Sequence, residues 1–429
     1  MASIRRRNGK YQVQIRVGRP LVLDRDMQRL RLGHLRKLVR ESSASIIHRS
    51  LRSCYALLRN SNLDMDSTMT TTDALKQAII EQFGTPCAVI DLDVVDKNIT
   101  RLQSLCDEVG LANRPHIKTH KSPFLAKRQI KAGAVGITCQ KLGEAEVMVD
   151  AGIEDILIAT NIIGAARSGK LAKLQQRVSL KVCADNPVSL KAYSEAGQSA
   201  QRPIRVLIEC DTGQKRAGVE TPHEVINLAK IIQDDPWLEF GGLMFYPPLD
   251  GWPATQAFLD AAKEGLASLN LTPEIISTGG TPNLKNIGSL NGATEHRSGT
   301  LIFNDRMMMA AGVAQVEDCA LRIFTSVVSR AGESRGILDA GSKTFTSDPG
   351  GLDGYGLILE HPKAQIHKMA EEHGFLELSE SDNRPEIGDI VRVVPNHVCV
   401  VVNMFDQLVV VSDNRIVDVL RVEARGRLV

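Results

Sequence analysis

The stretch Arg114-Pro115-His116-Ile117-Lys118-Thr119-His120-Lys121 decides how this chain is read. Upstream, Thr85-Pro86-Cys87-Ala88-Val89-Ile90-Asp91-Leu92 has the pattern of a short strand. Apolar side chains then recur at Val95, Ile99, Leu102 and Leu105, the spacing of an amphipathic helix over about 94–109. Pro115 disfavours helical backbone at Arg114, so the chain re-enters extended structure there. The basic octapeptide therefore sits at the mouth of a strand in an α/β fold. A lysine in such a place suits Schiff-base chemistry, because desolvation and neighbouring cations favour a neutral, nucleophilic amine. The competing reading of these eight residues alone is a basic loop on an ordinary α/β protein.

From residue 85 onward, short apolar runs alternate with helical stretches. Candidate strands lie at 136–139, 155–159, 179–183, 205–209, 240–245 and 275–277, with helices at 142–151, 165–175, 187–196 and 222–234 between them. Repeated βα units predict a parallel (β/α)8 barrel of the TIM type over residues 80–315. Chemistry in such barrels sits at the C-terminal ends of strands, where Lys118, Asp211 and Tyr246 fall. Beyond 315 the texture becomes β-rich, with candidate strands at 320–329, 334–339, 390–394, 399–403 and 407–412. These predict a smaller, mostly antiparallel β domain over residues 316–429.

The motif order extends this reading. After Thr-Pro-x-x-Val-Ile-Asp and Pro-His-Ile-Lys-Thr-His-Lys comes Ile208-Glu209-Cys210-Asp211-Thr212-Gly213-Gln214-Lys215-Arg216-Ala217-Gly218. Then follow Ser277-Thr278-Gly279-Gly280-Thr281-Pro282, Glu295-His296-Arg297-Ser298-Gly299-Thr300 and Asp339-Ala340-Gly341-Ser342-Lys343. Glu371-Glu372-His373-Gly374, Pro395-Asn396-His397-Val398-Cys399 and Ala424-Arg425-Gly426-Arg427 complete the series. The set resembles the alanine-racemase-like, fold-type-III pyridoxal-phosphate enzymes, and within them the D-threonine aldolase and D-serine dehydratase family. The resemblance spans about residues 80–429.

It implies roles for particular residues. Lys118, directly after Pro-His-Ile, is the lysine that carries pyridoxal 5'-phosphate. Lys121 is the competitor, and strand alternation places the two on opposite faces. Gly279, Gly280 and Thr281 form the phosphate turn, where glycine permits close backbone approach. Arg297, two residues before Gly299, matches the racemase arginine that faces the pyridine nitrogen; a surface ion pair is the other reading of it. His397 and Cys399 form a His-x-Cys pair in a strand-like run, and residues i and i+2 share one strand face, so imidazole and thiolate can converge on one metal. A thiolate favours Zn2+ over harder ions. Aldolase relatives have a histidine in the loop after the strand ending near Phe245, where this chain has Tyr246-Pro247-Pro248. Tyr246 is then either the replacing base or a packing residue. His116 and His120 read as packing around the cofactor, and His34, His48, His223, His361 and His367 as surface residues.

Composition agrees with this class and limits the others. Hydrophobic content of 43% and charge of 24% are those of a globular protein. No run of 18 apolar residues appears, so no membrane partner is expected. The eight scattered cysteines read as reduced thiols of a cytoplasmic protein. Residues 1–64 hold 15 Lys/Arg against 4 Asp/Glu, whereas the remainder holds 37 against 46. The basic start reads as a hairpin with Asn8-Gly9 at its turn, similar to the N-terminal arm of phage-type tyrosine integrases. No recombinase domain follows, so nucleic acid is not the expected partner. Residues 1–64 are instead read as an upstream extension, with a family-like start near Met65 or Met69. A transit peptide is the second reading, which Asp24 and Asp26 fit poorly.

The expected function is a pyridoxal-phosphate- and divalent-metal-dependent lyase on D-3-hydroxy amino acids. Cys399 favours D-serine-like dehydration over D-threonine-type aldol cleavage. An amino-acid racemase and a non-catalytic cofactor-binding protein are the further alternatives. A homodimer is expected, since the resemblance implies active sites completed between barrel and β domain.

Overall fold

The computed structural model describes residues 2–7, 10–15 and 71–429. At the N-terminus, β1 (Ala2–Arg7) pairs antiparallel with β2 (Lys10–Ile15), with Arg7 opposite Lys10. This is the expected hairpin; its Asn8-Gly9 turn, and the extension at 16–70, lie outside the described residues.

The unit from Thr71 onward is built on eight parallel strands. These are β4 (Ala112–Asn113), β5 (Ile137–Cys139), β6 (Asp155–Ile158), β7 (Ser179–Ala184), β8 (Ile204–Cys210), β9 (Leu238–Phe245), β10 (Ile275–Gly279) and β11 (Glu295–Arg297). Their order, β4-β11-β10-β9-β8-β7-β6-β5, leaves β4 and β5 at the ends of the sheet. The chain beyond β4 joins those ends. His116 pairs with Thr138 of β5, Thr138 donates its N–H to Pro115 O at 2.8 Å, and Ile117 donates to Thr138 O at 2.9 Å. The curled sheet is the predicted barrel. Helices such as α4 (Leu142–Asp150), α5 (Ala165–Gln175), α6 (Pro187–Ala200) and α7 (Pro222–Asp234) run between strands. Their apolar stripes bury Leu171, Leu190, Leu228 and Ile232 in the core around the strands. Proline at the first helical position starts α6 and α7, where its missing N–H costs nothing.

The second sheet contains β12 (Leu321–Ala331), β13 (Arg335–Leu338), β15 (Gln365–Met369), β16 (Gly374–Glu377), β17 (Ile390–Val394), β18 (Gln407–Ser412) and β19 (Arg415–Arg421). Short β14 (Leu357–Ile358) pairs with β17. Two sequence expectations are corrected here. The strand within 85–92 is β3 (Cys87–Asp91), and it lies not in the barrel but between β12 and β18 of the second sheet. Its two faces are both buried, against α2 (Leu92–Glu108) through Ala88 and Ile90, and against α1 (Thr71–Phe83) through Cys87 and Val89. A strand buried on both sides carries the same pattern as a barrel strand, so sequence alone could not separate the two.

The second correction concerns 399–403. Instead of a strand, the segment is α11 (Val398–Met404), with His397 as its N-cap. Its β-branched run favours a strand locally. Tertiary packing overrides that preference: Val398, Val401 and Val402, at i, i+3 and i+4, are all buried in the core of the second sheet. The helix start is capped by another segment, since Val398 donates its N–H to Asp305 Oδ2 at 3.1 Å. Among the described residues no helix is long and apolar enough to cross a membrane. All seven described cysteines are free.

Candidate active site

The C-terminal ends of the barrel strands open onto a cavity of about 250 Å3. Lys118 enters it from a turn. After the His116–Thr138 bridge the backbone turns through 117–120, and Lys121 follows with a left-handed φ of 52°. The turn, not strand alternation, is what sends the two lysines apart. Lys121 is buried and ion-pairs with Glu144 at 2.6 Å, whereas Lys118 lines the cavity. Among the described residues no carboxylate reaches ion-pair distance of Lys118 Nζ, which leaves the amine to a ligand.

His116 lines the cavity beside Lys118, as expected, but His120 does not. His116 Nδ1 accepts from the Lys118 N–H at 3.3 Å, and its Nε2 lies 3.1 Å from Gln140 Oε1. Burial, then the Lys118 charge, hold this imidazole well below its ordinary pKa. It is therefore neutral, with the proton on Nε2 donated to Gln140. His120 is a core residue, pushed down to about 4 by burial and held by Gln129 and the Ser122 N–H. His361 is also buried, its Nδ1 bonded to Asn383 O at 2.7 Å, contrary to the surface reading.

The opposite wall holds Tyr246, just after β9, together with Gly280, Thr281 and Arg297. A methyl group at Gly280 would overlap the Tyr246 ring, and one at Gly279 would overlap the Arg297 backbone; both glycines also have positive φ. Only glycine fits this turn. The Gly280 N–H is already donated to Arg297 O at 2.6 Å, so it is not a free cradle donor. The same wall continues through Thr281, Gly299 and Thr300, and Gly279 itself lies behind the lining. Arg297 is not a surface ion pair. It is buried, donating to Ser277 Oγ and to Phe245 O, and burial lowers its pKa.

His397 also lines the cavity, and Cys399 lies directly behind it in the first turn of α11. The two side chains do meet, although a helix start and not a strand face joins them. His397 Nδ1 bonds Asp305 Oδ2 at 3.0 Å, which turns Nε2 outward. Cys399 Sγ lies 3.1 Å from Thr119 Oγ1 and 3.9 Å from Thr300 Oγ1. Burial alone would raise the thiol pKa, but hydrogen bonding and charge from His397, the charge of Lys118 and the Thr119 hydroxyl together hold it below its ordinary value. Burial alone would lower His397, yet its bonds to Asp305 and Cys399 raise it to about 10. Among the described residues no cluster of three metal-ligating side chains forms.

Three residues of the site were not singled out from sequence. Glu209 and Arg216 line the cavity; the Arg216 guanidinium sits 5.1 Å over the Tyr246 ring and 3.8 Å from Glu209. Burial raises the Glu209 pKa against the pull of Arg216 and Arg297. Both lie in the 208–218 motif, so a signal for them existed. Asp305 is fully buried and had none, because its role depends on a helix that the sequence reads as a strand.

The donor set fits pyridoxal phosphate: a lysine amine for its aldehyde, a buried guanidinium, and a glycine-threonine turn on one cavity. It also fits a soft divalent ion, through the imidazole nitrogen of His397 on the cavity wall and the depressed thiol of Cys399 behind it. A model of the alanine racemase N-terminal domain matches residues 90–306, and one of the putative serine dehydratase domain matches 320–411. The D-threonine aldolase of Arthrobacter sp. is 32% identical over 81% of this chain and 94% of its own. The chain belongs to the D-threonine aldolase and D-serine dehydratase family. Like its relatives in this family it is a pyridoxal-phosphate-dependent lyase with the alanine-racemase-like fold. The D-threo-3-hydroxyaspartate dehydratase of Delftia sp. (strain HT23) is 32% identical over 73% of this chain and 90% of its own. The solved D-threo-3-hydroxyaspartate dehydratase of Delftia sp. HT23 superposes with a TM-score of 0.72 at 29% identity, covering 79% of this chain and 97% of that one, as does a variant of a D-threo-3-hydroxyaspartate dehydratase in a metal-free form. The D-threonine aldolase of Filomicrobium marinum superposes with a TM-score of 0.74 at 28% identity, covering 80% and 96%.

Proposed function

We propose that this lyase acts on D-3-hydroxy amino acids and requires a divalent metal, zinc by preference, with dehydration of a D-serine-like substrate favoured over aldol cleavage. The observation that carries the reading is His397 on the wall of the cavity that Lys118 enters, with Cys399 behind it and bonded to Thr119. Bound pyridoxal phosphate would supply an electron sink for bonds broken at the substrate Cα. A zinc ion on His397 and Cys399 would supply Lewis acidity toward the substrate's β-hydroxyl. Lys118 would hold the cofactor, and its Nζ is the lysine amine placed to accept a proton at the cavity. Arg297 and the 279–281 turn would orient the cofactor's ring and phosphate.

Tyr246 is better placed as a packing residue than as a base. Its ring lies under Arg216 and against Gly280. The loop thus lacks a group that would take the hydroxyl proton for retro-aldol cleavage, which favours dehydration. D-threonine-type aldol cleavage is the second reading, supported by the Arthrobacter relative. Incubation with D-serine, D-threonine and 3-hydroxy-D-aspartate separates the two: we expect an oxoacid and ammonia as products. Glycine with an aldehyde would replace this reading by the aldolase one, and exchange of D- and L-alanine without either product would replace it by a racemase.

The same reading makes the enzyme a cytoplasmic homodimer whose catalytic part begins after the basic extension. A chain starting at Met65 is expected to be soluble, dimeric by light scattering and as active as the full chain. Insoluble or inactive protein would show that residues 1–64 are needed for the fold.

A further inference from the structure

The side of the second sheet that packs under α1 contains another cavity, of about 40 Å3, which shares no lining residue with the first. Strand register builds it. Arg322 and Phe324 alternate onto the same face of β12, Arg322 opposite Val89 of β3 and Phe324 opposite Arg392 of β17. Two arginines thus border one small space, together with Asp91 and Asn414. Beside them Ile79, Val89, Phe324, Val409 and Val411 form a closed apolar core. A guanidinium at the edge of such a core needs a partner to offset its desolvation.

Arg392 has one. Its Nε donates to Glu360 Oε1 at 2.7 Å and its backbone N–H to Oε2 at 2.8 Å. Lys76 takes the same carboxylate at 2.7 Å. Asp91 uses Oδ1 to accept from the N–H groups of Asp93 and Val94 as the N-cap of α2, and its charge also acts on Arg322. In the half-buried Arg322 side chain, Nε is itself buried and has no hydrogen-bond partner among the described residues. Burial, and then the charge of Arg392, press the Arg322 pKa down against the pull of Asp91 and Glu360. The lining of this cavity sets two guanidinium groups, Arg322 and Arg392, against a single carboxylate, Asp91. Buried donors without partners are rare in native proteins and mark a missing ligand or solvent.

From this geometry we infer that the cavity between Arg322 and Arg392 binds one small inorganic anion of chloride size. Its donors would be Arg322 Nε and the polar groups that Arg392 and Asn414 bring to the same space. One water needs roughly 10–15 Å3 of space measured this way, so the cavity admits a monatomic ion and no substrate or cofactor. The ion would accept from Arg322 Nε and tie β3, β12 and β17 together beneath α1. It is a stability site, separate from the chemistry at Lys118.

Bromide replaces chloride in such sites and scatters anomalously. Crystals of the holoenzyme soaked in bromide should show an anomalous peak within hydrogen-bond distance of Arg322 Nε; only water there would overturn the assignment. In solution, the melting temperature should rise and saturate with chloride at constant ionic strength, by about 2–4 °C against isethionate, a larger anion. Arg322→Met should lose that dependence while keeping lyase activity. An equal chloride response in the variant would sink the proposal. An equal rise with acetate in the native enzyme would overturn the inorganic assignment in favour of a carboxylate. Should Arg322→Met fail to fold, the bromide map and the native anion series still decide.

Discussion

Lys118→Ala protein is expected to lose lyase activity by on the order of 10³-fold or more, to lose the visible absorbance of bound cofactor, and to retain no cofactor after borohydride reduction. Its melting temperature should stay near that of the native apoprotein, because Lys118 has no ion-pair partner among the described residues to lose. Lys121→Ala should give the inverse result. The Lys121–Glu144 pair is buried on both sides, with side chains 5% and 2% exposed. Removing one member of such a pair costs about 3–5 kcal/mol, because the remaining charge is stranded. That variant should therefore melt early but still trap cofactor. Trapping that survives in Lys118→Ala and disappears in Lys121→Ala would show that the wrong lysine has been chosen. The two readouts, stability and covalent cofactor, keep folding defects apart from chemical ones.

How much of this was visible beforehand depends on what each signal measures. The barrel was legible because helical and strand periods alternate over many units, and six of its eight strands, β5 to β10, overlap the expected runs; β4 and β11 are too short to show that period. Lys118, Tyr246, Gly280, Thr281, Arg297 and His397 were all named from motifs, and all line one cavity. The errors are local patterns that tertiary contacts decide. Strand β3 looks like a barrel strand because both its faces are buried, and only its partners place it in the second sheet. Segment 398–404 looks like a strand because it is rich in valine, and it becomes a helix because Asp305 caps it and three valines turn inward. Arg297 could not be told from a surface cation, since burial is a property of its neighbours. In each case the residue type was right for its chemistry, and the missing information was long-range.

Metal removal should separate the two halves of the site. Chelation is expected to abolish most lyase activity while leaving cofactor absorbance intact, because Lys118 and the His397–Cys399 pair do separate work; added zinc should restore the rate. Cys399→Ala and His397→Ala should each lose bound metal, read by elemental analysis independently of turnover. Cys399→Asp installs a harder oxygen ligand and should shift the preference toward manganese, raising cleavage relative to dehydration. Asp305→Asn tests the group that sequence did not reveal. With its oxygen in the Oδ2 position, asparagine still accepts from the Val398 N–H and meets His397 Nδ1, but it removes the negative charge beside His397 and gives up the Oδ1 acceptor of the Met308 N–H. Losses of about 10–100-fold in metal affinity are typical when such a partner is removed. A helix that stays folded with weakened zinc binding would assign Asp305 to positioning. Unchanged zinc affinity would mean that the hydrogen bond to His397, without the carboxylate charge, is enough to hold the imidazole in place. Full activity of metal-free Cys399→Ala protein would remove the metal from the mechanism altogether, and the racemase reading would then have to be taken up in its place.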